Sequence, residues 1–406
     1  MAEKDTQTDT ELTVSQQAIR SVNRGQLAFC RFLAAIDTGA AHTHQSGIYM
    51  PAAAWPILFD RAGTKGENRD RTVKVCWQGE EVRDNRFVWY GEKKREYRIT
   101  RFGRNFSLLD PENTGSLMVL VKMDTDDYEG WVLTADEEIE EFLDYFGLSA
   151  TETNRLLTGA GTAPDAVLER EVASFIDGLG GEFPTGVDMS QAARNIYDTA
   201  FDHVEYVRER PDERLLQWTH MEYELFQAVE RVHYAPVLQK GFATMEEFVD
   251  TANSVLNRRK SRAGKSLEYH LEAIFRGNGL PFGTQVVTEQ KKKPDFIFPG
   301  GEAYHNPHYP ADKLIVLGAK TTCKERWRQV VTEADRVKTK YLCTLQQGNS
   351  PAQLREMRAE HVVLVVPEAY IVTYPPEFRE EILSLAKFIG MVREKMASGG
   401  CVIGSR

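Results

Sequence analysis

From about Leu27 to Leu133 the apolar residues come in short stretches, GIYMP, TVKVCW, RFVWY, YRITRF, SLMVLVKM and GWVLT, divided by Gly, Asn and Asp. Short runs rich in β-branched and aromatic residues and bounded by turn formers predict strands, so a mostly-β unit is expected here. DEEIEEFLDYF, from Asp136, predicts a helix. The stretch that follows, ATETNRLLTGAGTAPD, loses apolar periodicity and gathers small residues, which predicts a linker around Thr151 to Asp165. Beyond it, ERLLQWTHMEYELFQAVERVHY and MEEFVDTANSVLNRRKS repeat apolar residues at three and four, the spacing of helices with one buried face. The rest alternates: a helix from about Lys265 to Arg276, then TQVVTE, DFIF and LIVLGAK, a helix from about Lys324 to Lys340, YLCTL, a short helix near Ser350 to Ala359, and VVLVVP. Strands separated by helices, several of them continuously apolar, predict a mixed sheet covered on both faces.

A chain of 406 residues is long for a single core and is expected to form two units. With 42% hydrophobic and 27% charged residues, wholesale disorder and fibrous repeats are excluded. No run approaches the ~20 apolar residues of a membrane span, and the polar start MAEKDTQTDTEL does not read as a signal peptide, so a cytoplasmic protein is expected. The five cysteines lack CxxC spacing, which argues against a zinc module or a disulfide framework. Neither GxGxxG nor GxxxxGK[ST] occurs, so a dinucleotide or P-loop site is unsupported. The net charge of −10 does not advertise a nucleic-acid partner. The distribution matters more than the sum: bases cluster in GEKKREYRITRFGRN, NRRKSRAGKS, KKK and KERWR, while acids pool in DTDDYE and ADEEIEEFLD, although any single cluster also reads as a solvated charged face. Such a chain would grip a polyanion on a few faces and carry balancing acid elsewhere.

Asp295 stands where KKKPDFIF turns apolar, and Lys320 ends LIVLGAK, so both charges are expected at one edge of neighbouring strands. An unpaired carboxylate at the mouth of a buried strand is costly, and a bound cation would offset it. Glu333 follows, on the helix whose apolar stripe would be Trp327, Val330 or Val331, Ala334 and Val337; upstream, Glu268 and Glu272 share one helix face. Carboxylates from a strand and packed helices form a hard oxygen site suited to Mg²⁺. A lysine beside it can orient a water and offset the charge that develops as a phosphodiester is hydrolysed. The plainer alternatives are Asp295 paired with Lys291 or Lys293, and Lys320 snorkelling from a strand end. The helix carrying KERWRQ adds Lys324, Glu325, Arg326 and Arg328, side chains able to read guanine and cytosine edges in the major groove.

TANSVLNRRKSRAGKSLEYHLEAIF, KKPDFIFPGGEAYH, AKTTCKERWRQVVTEAD, LCTLQQG, REMR and LVVP, in this order, resemble the EcoRII family of type II restriction endonucleases; HQSGIYMP, YRITRFGR and LLDPENTGSL resemble its N-terminal part. The likeness spans most of the chain and is weakest over about residues 136 to 200. It implies an N-terminal effector-DNA domain (1–150) with a β pseudobarrel of the plant B-three type, a linker (151–175), and a C-terminal α/β nuclease domain (176–406) of the PD-(D/E)XK fold that dimerises. Such enzymes cut before the first cytosine of CCWGG, use Mg²⁺, and are stimulated by a second site bound at an N-terminal domain that otherwise blocks the cleft. A cognate methyltransferase is their usual companion.

Carried over, the resemblance implies Asp295, Lys320 and Glu333 as the catalytic set, with Tyr304 and Lys324 at two further positions and Glu272 or Glu268 as an additional carboxylate on the metal side. Tyr223 and Arg262 are expected to meet target DNA with the KERWR side chains, and His44, Tyr49, Lys94, Glu96 and Arg98 to meet effector DNA. Without the likeness, His44 reads as a turn cap and Tyr49 as core. The chain departs from the family near Thr219 and His220, where an arginine is expected, and at Glu92 and Tyr97, which replace basic residues. The expected activity is therefore a Mg²⁺-dependent dimeric endonuclease on double-stranded DNA. The alternatives are a CCNGG, CCSGG or extended site, a non-cleaving DNA-binding regulator, and a structure-selective repair nuclease.

Overall fold

The computed structural model describes residues 12–41, 47–103, 106–157, 166–201 and 205–397. The first unit opens with the helix Val14–Arg24, whose N-terminus Thr13 closes: its hydroxyl accepts the Gln16 N–H while the Gln16 side chain accepts the Thr13 N–H. Strands β1 (Leu27–Phe32), β2 (Ile48–Met50), β3 (Asn68–Trp77), β4 (Glu81–Tyr90), β5 (Glu96–Thr100), β6 (Leu117–Lys122), β7 (Asp127–Leu133) and β8 (Arg155–Leu156) form one sheet in the order β2-β5-β4-β3-β7-β6-β1-β8. The β3–β7 pair is parallel and the other neighbours are antiparallel. Period-two alternation turns Val73, Val75 and Trp77 of β3 inward, where they meet Phe87, Tyr128 and Leu120. β8 lies in the stretch expected to be linker and pairs with β1, Phe29 opposite Leu156. The helix Asp136–Phe146 follows β7 and ends on Gly147, in the left-handed conformation that terminates helices.

The second unit begins with the long helices Ala166–Gly178, Gly186–Phe201, Pro211–Lys240 and Met245–Gly277, with the short helix Tyr206–Glu209 between the second and third. The last joins two stretches that the sequence pattern suggested as separate helices. Five strands, β9 (Gly283–Thr284), β10 (Phe296–Phe298), β11 (Ile315–Lys320), β12 (Lys340–Thr344) and β13 (Val362–Val365), stack in the order β13-β12-β11-β10-β9. β11, β12 and β13 run parallel, while β9–β10 and β10–β11 are antiparallel, giving the mixed sheet expected. TQVVTE contributes only its first residue to a strand, because Gln285 takes a positive φ and turns the chain.

The helix expected to run from Lys324 to Lys340 is a correction: it covers only Trp327–Val331. Ala334 then adopts φ 53°, which cannot continue a right-handed helix, so Glu333 sits on a turn. Trp327, Val330, Ala334 and Val337 are buried all the same. Gly318 lets the short helix lie on β11, since a Cβ there would stand 2.7 Å from Val330 Cγ2.

One buried apolar cluster runs through both units. It joins Leu117, Phe142, Leu143 and Leu148 of the first with Leu215, Trp218, Tyr223 and Leu271 of the second. The backbones meet at Gly115, whose added Cβ would fall 1.8 Å from the Gly348 carbonyl. A shared apolar core of this kind docks the units far more firmly than a polar contact. Among the described residues no helix is long and apolar enough to cross a membrane.

Candidate active site

Antiparallel pairing sets Phe296 against Leu317, so Asp295, just before β10, faces the end of β11. Its Oδ2 accepts the Ala319 N–H at 2.7 Å and Lys320 Nζ at 3.1 Å. The carboxylate thus pairs with Lys320, while Lys292 reaches the Thr332 carbonyl. Glu333 is half-buried, and its Oε2 is enclosed with no hydrogen-bond partner among the described residues. Burial, and then the charge of Asp295, push this carboxyl up to about 7 despite Lys320, Lys292 and Lys340 nearby. Glu268 feels the same charges: burial raises its carboxyl, Asp295 adds to the rise, and Lys265, bonded to it at 2.8 Å, and Lys320 oppose it. Glu272 is instead held by Arg276 at the surface of the same helix.

A buried carboxylate oxygen without a donor, beside a second carboxylate that raises its proton affinity, fits a hard divalent cation. Glu268, Asp295 and Glu333 do not close to within 4.8 Å of one another; among the described residues the group that does is Glu152, His220 and Glu224, at the junction of the units. A guanidinium already serves that group, Arg155 lying 3.1 Å from Glu152 and 3.8 Å from Glu224.

Of the expected base-reading side chains, Lys324 and Arg326 are engaged by the first unit. Asp136 accepts the backbone N–H groups of Lys324 at 2.9 Å, Glu325 at 2.6 Å and Arg326 at 3.2 Å, capping the second unit's short helix from outside. Lys324 is buried with its ammonium on Ser116 Oγ at 2.7 Å, and desolvation pulls it down to about 8 against the charges of Asp136, Glu112 and Glu325. Arg326 grips both oxygens of Glu140. Arg328, at the surface, pairs with Glu356, and Glu325 keeps an exposed side chain. Tyr223 is buried, with the guanidinium groups of Arg155 and Arg262 at 6.0 and 5.8 Å from its ring centre. Tyr304 is also buried and donates its hydroxyl to Glu289 at 2.5 Å.

On the first unit, Tyr49 of β2 stands opposite Arg98 of β5, and Glu96 lies two residues along the same face. Arg98 Nε bonds Glu96 at 2.8 Å and Lys94 approaches the same carboxylate at 3.7 Å. Beneath them Arg31 and Asp37 form a buried pair at 2.9 Å that holds the Tyr49 backbone through both its N–H and its carbonyl. Tyr49 is one of the few large apolar side chains left exposed among the described residues of this unit, whereas Tyr97 is core, its hydroxyl accepting the Gly63 N–H and its ring 4.5 Å from Trp89. His44 lies outside the described residues.

Residue patterns alone missed Asp136, Glu140, Ser116 and Glu289. The acid pool ADEEIEEFLD was visible as balancing charge, but it lies directly on KERWR rather than elsewhere.

Family models described as "Restriction endonuclease EcoRII, N-terminal" and "EcoRII C terminal" match residues 22–147 and 226–389. The chain is 36% identical over 391 residues to the type II restriction enzyme EcoRII of Escherichia coli, covering 89% of this chain and 92% of that one. It is 31% identical over 126 residues to the type II restriction enzyme SsoII of Shigella sonnei, covering 29% of this chain and 40% of the other. Among solved structures, metal-depleted Ecl18kI in complex with uncleaved, modified DNA aligns at 20% identity over 59% of this chain and 87% of its own, with a TM-score of 0.47. A complex of the restriction endonuclease PspGI with substrate DNA aligns at 16% identity over 53% and 94%, with a TM-score of 0.44.

Proposed function

Because this chain belongs to the EcoRII family of type II restriction endonucleases, we propose that it hydrolyses double-stranded DNA at a CCWGG-like site with a divalent ion, Mg²⁺ by the chemistry of its ligands. The observation that carries this reading is the contact of Lys320 with Asp295 beside the buried, partnerless oxygen of Glu333. Asp295 and Glu333 are the residues we assign to the ion, with Glu268 rather than Glu272 as the further carboxylate, since Glu268 senses the charge of Asp295. An ion held there would supply Lewis acidity to the phosphate and ease deprotonation of a water. Asp295 fixes the Lys320 ammonium through Oδ2, while the Ala319 N–H on the same oxygen stops the carboxylate from rotating. Lys320, half-exposed, is then aimed at where the attacked phosphate gathers negative charge, a preorganised donor that needs no rearrangement as the bond breaks. Tyr304 is buried in its bond to Glu289, so we assign it a supporting part.

The docked first unit supports autoinhibition: Asp136, Glu140 and Ser116 engage the backbone and side chains of Lys324, Glu325 and Arg326, groups we assign to target DNA together with Arg328, Tyr223 and Arg262. Effector DNA, on this reading, binds a B-three-type pseudobarrel at the face of Tyr49, Lys94, Glu96 and Arg98, with His44 nearby in sequence, and releases the block. A palindromic target requires a two-fold symmetric reader. The exposed apolar residues Val232, Leu238, Met245, Phe248, Val249 and Leu256, on the two long helices, support homodimerisation there. A methyltransferase of matching specificity is the functional companion of this activity, and cytoplasmic DNA its setting.

Digestion of phage DNA with Mg²⁺ followed by sequencing of fragment ends tests the activity. Discrete ends at CCWGG are expected, and loss of cutting with retained site-specific binding in Lys320→Ala. Ends at CCNGG or CCSGG would correct the site; random ends, or full activity in Lys320→Ala, would overturn the mechanism.

A further inference from the structure

Glu333 stands on a turn, beyond the end of its helix, yet its backbone is held on both flanks. On one side the Thr332 carbonyl accepts Lys292 Nζ at 2.8 Å; on the other the Asp335 N–H donates to Glu289 Oε2 at 3.1 Å. Both side chains come from the turn that leads into Asp295. That turn is closed by the Thr288 N–H on the Lys292 carbonyl at 2.8 Å, with the Thr288 hydroxyl on the same oxygen at 3.2 Å. Between the two straps, Gln290 and Lys291 both take left-handed values, φ 56° and 61°, conformations that side-chain-bearing residues keep only when surrounding bonds hold them. Tyr304, itself buried, donates to the same Glu289 oxygen at 2.5 Å and fixes its direction.

We propose that Glu289, oriented by Tyr304 and assisted by Lys292, is a positioning residue for the cleavage reaction: it sets the place of Glu333 relative to Asp295. The inference rests on the reading of Asp295 and Glu333 as metal-holding residues and deepens it. Two carboxylates that sense one another's charge in a partly buried site repel, and the turn carrying Glu333 has no helical hydrogen-bond ladder to resist their separation. Straps anchored three and six residues before Asp295 tie the second carboxylate to the segment that carries the first, so a displacement of one carries the other along. Glu289 touches no reacting group itself; its effect passes through the Asp335 backbone.

The test is Mn²⁺ binding to the full chain, followed by electron paramagnetic resonance, together with DNA affinity measured without divalent ions, in Glu289→Ala, Glu289→Gln, Tyr304→Phe and Asp295→Asn. Glu289→Ala is expected to weaken Mn²⁺ binding tenfold or more, leave metal-free DNA affinity within twofold, and regain cleavage as the metal concentration is raised. Glu289→Gln, whose amide oxygen can still accept both bonds but without the carboxylate charge, should fall between it and the parent, and Tyr304→Phe should weaken binding less than Glu289→Ala. If Asp295→Asn abolishes Mn²⁺ binding while Glu289→Ala and Tyr304→Phe match the parent, the positioning role is overturned and the metal site stands. Equal losses of metal and DNA affinity in Glu289→Ala also overturn it, marking general damage. If Asp295→Asn leaves Mn²⁺ binding intact, the metal-site reading falls and this inference falls with it.

Discussion

Arg326 of the second unit and Glu140 of the first are joined fork to fork, both terminal nitrogens of the guanidinium meeting both oxygens of the carboxylate. Thr322 donates to the same carboxylate at 3.0 Å, and burial, opposed by Arg326 and Thr322, leaves the proton affinity of Glu140 raised. Removing Glu140 leaves Arg326 partly buried without its counter-charge, a loss of about 1.5–3 kcal/mol for a charged hydrogen-bonded pair, or about tenfold to a hundredfold in the docking equilibrium. Glu140→Ala should accordingly raise the rate on plasmids with one site by roughly that factor and leave the rate on two-site plasmids nearly unchanged. Equal rates for parent and variant on single-site DNA would show that this pair does not hold the proposed autoinhibited arrangement.

Lys324 gives the docking a pH dependence with a definite sign. Docked, its ammonium is held down to about 8, chiefly by desolvation; undocked, it regains the ordinary value of 10.5. Below 8 both forms are protonated and the docked form bears the full cost of a buried charge. Between 8 and 10.5 the docked form has released its proton while the open form keeps it, so rising pH favours docking, by at most about tenfold per pH unit for one proton. Protection of the 324–326 amides against hydrogen exchange, corrected for intrinsic rates, should therefore grow from pH 8 to 10. In Lys324→Met this growth should vanish.

His220 pulls the other way. Its Nδ1 lies 2.7 Å from Glu152 across the junction, and that hydrogen bond, ahead of the opposing desolvation, raises its proton affinity. A histidine raised in the docked form contributes docking strength that is complete below its ordinary value of 6.5 and is lost as pH climbs through the raised one. His220→Gln should weaken docking at pH 6 and change little at pH 8.5, measured as single-site cleavage or as amide protection.

The sheets were legible in the sequence because buried strands announce themselves by apolar runs: DFIF, LIVLGAK, YLCTL and VVLVVP all became strands, and with them the juxtaposition of Asp295 and Lys320. The seat of Glu333 was not. Trp327, Val330, Ala334 and Val337 carry helical spacing and are all buried, yet the helix stops at Val331, because a turn packed on the same core buries the same positions. Spacing reports burial, and only backbone φ separates the two. The partner of KERWR was hidden for another reason. Charge complementarity with DEEIEEFLD is plain in the chain, but nothing local says that residues almost two hundred positions apart will meet.

Glu333 supplies the sharpest check on the proposed metal site. Burial and Asp295 push its carboxyl up to about 7, so near neutral pH it is partly protonated, and an ion must displace that proton to use the oxygen. The folded chain holds this proton more tightly than the unfolded one, a stabilising contribution complete below about 4.5 and lost as pH rises to about 7. Metal binding has the opposite trend: the half-saturating Mg²⁺ concentration should fall as pH rises from 6 to 8, by up to about tenfold per unit on the acid side. Calorimetry of Mg²⁺ binding in two buffers of different ionisation enthalpy should find a fraction of a proton released at pH 7 and almost none at pH 8.5. In Glu333→Gln the release should disappear along with the pH dependence; a variant that still releases it would move the responsible carboxyl from Glu333 to Glu268, the other acid raised by the same charge.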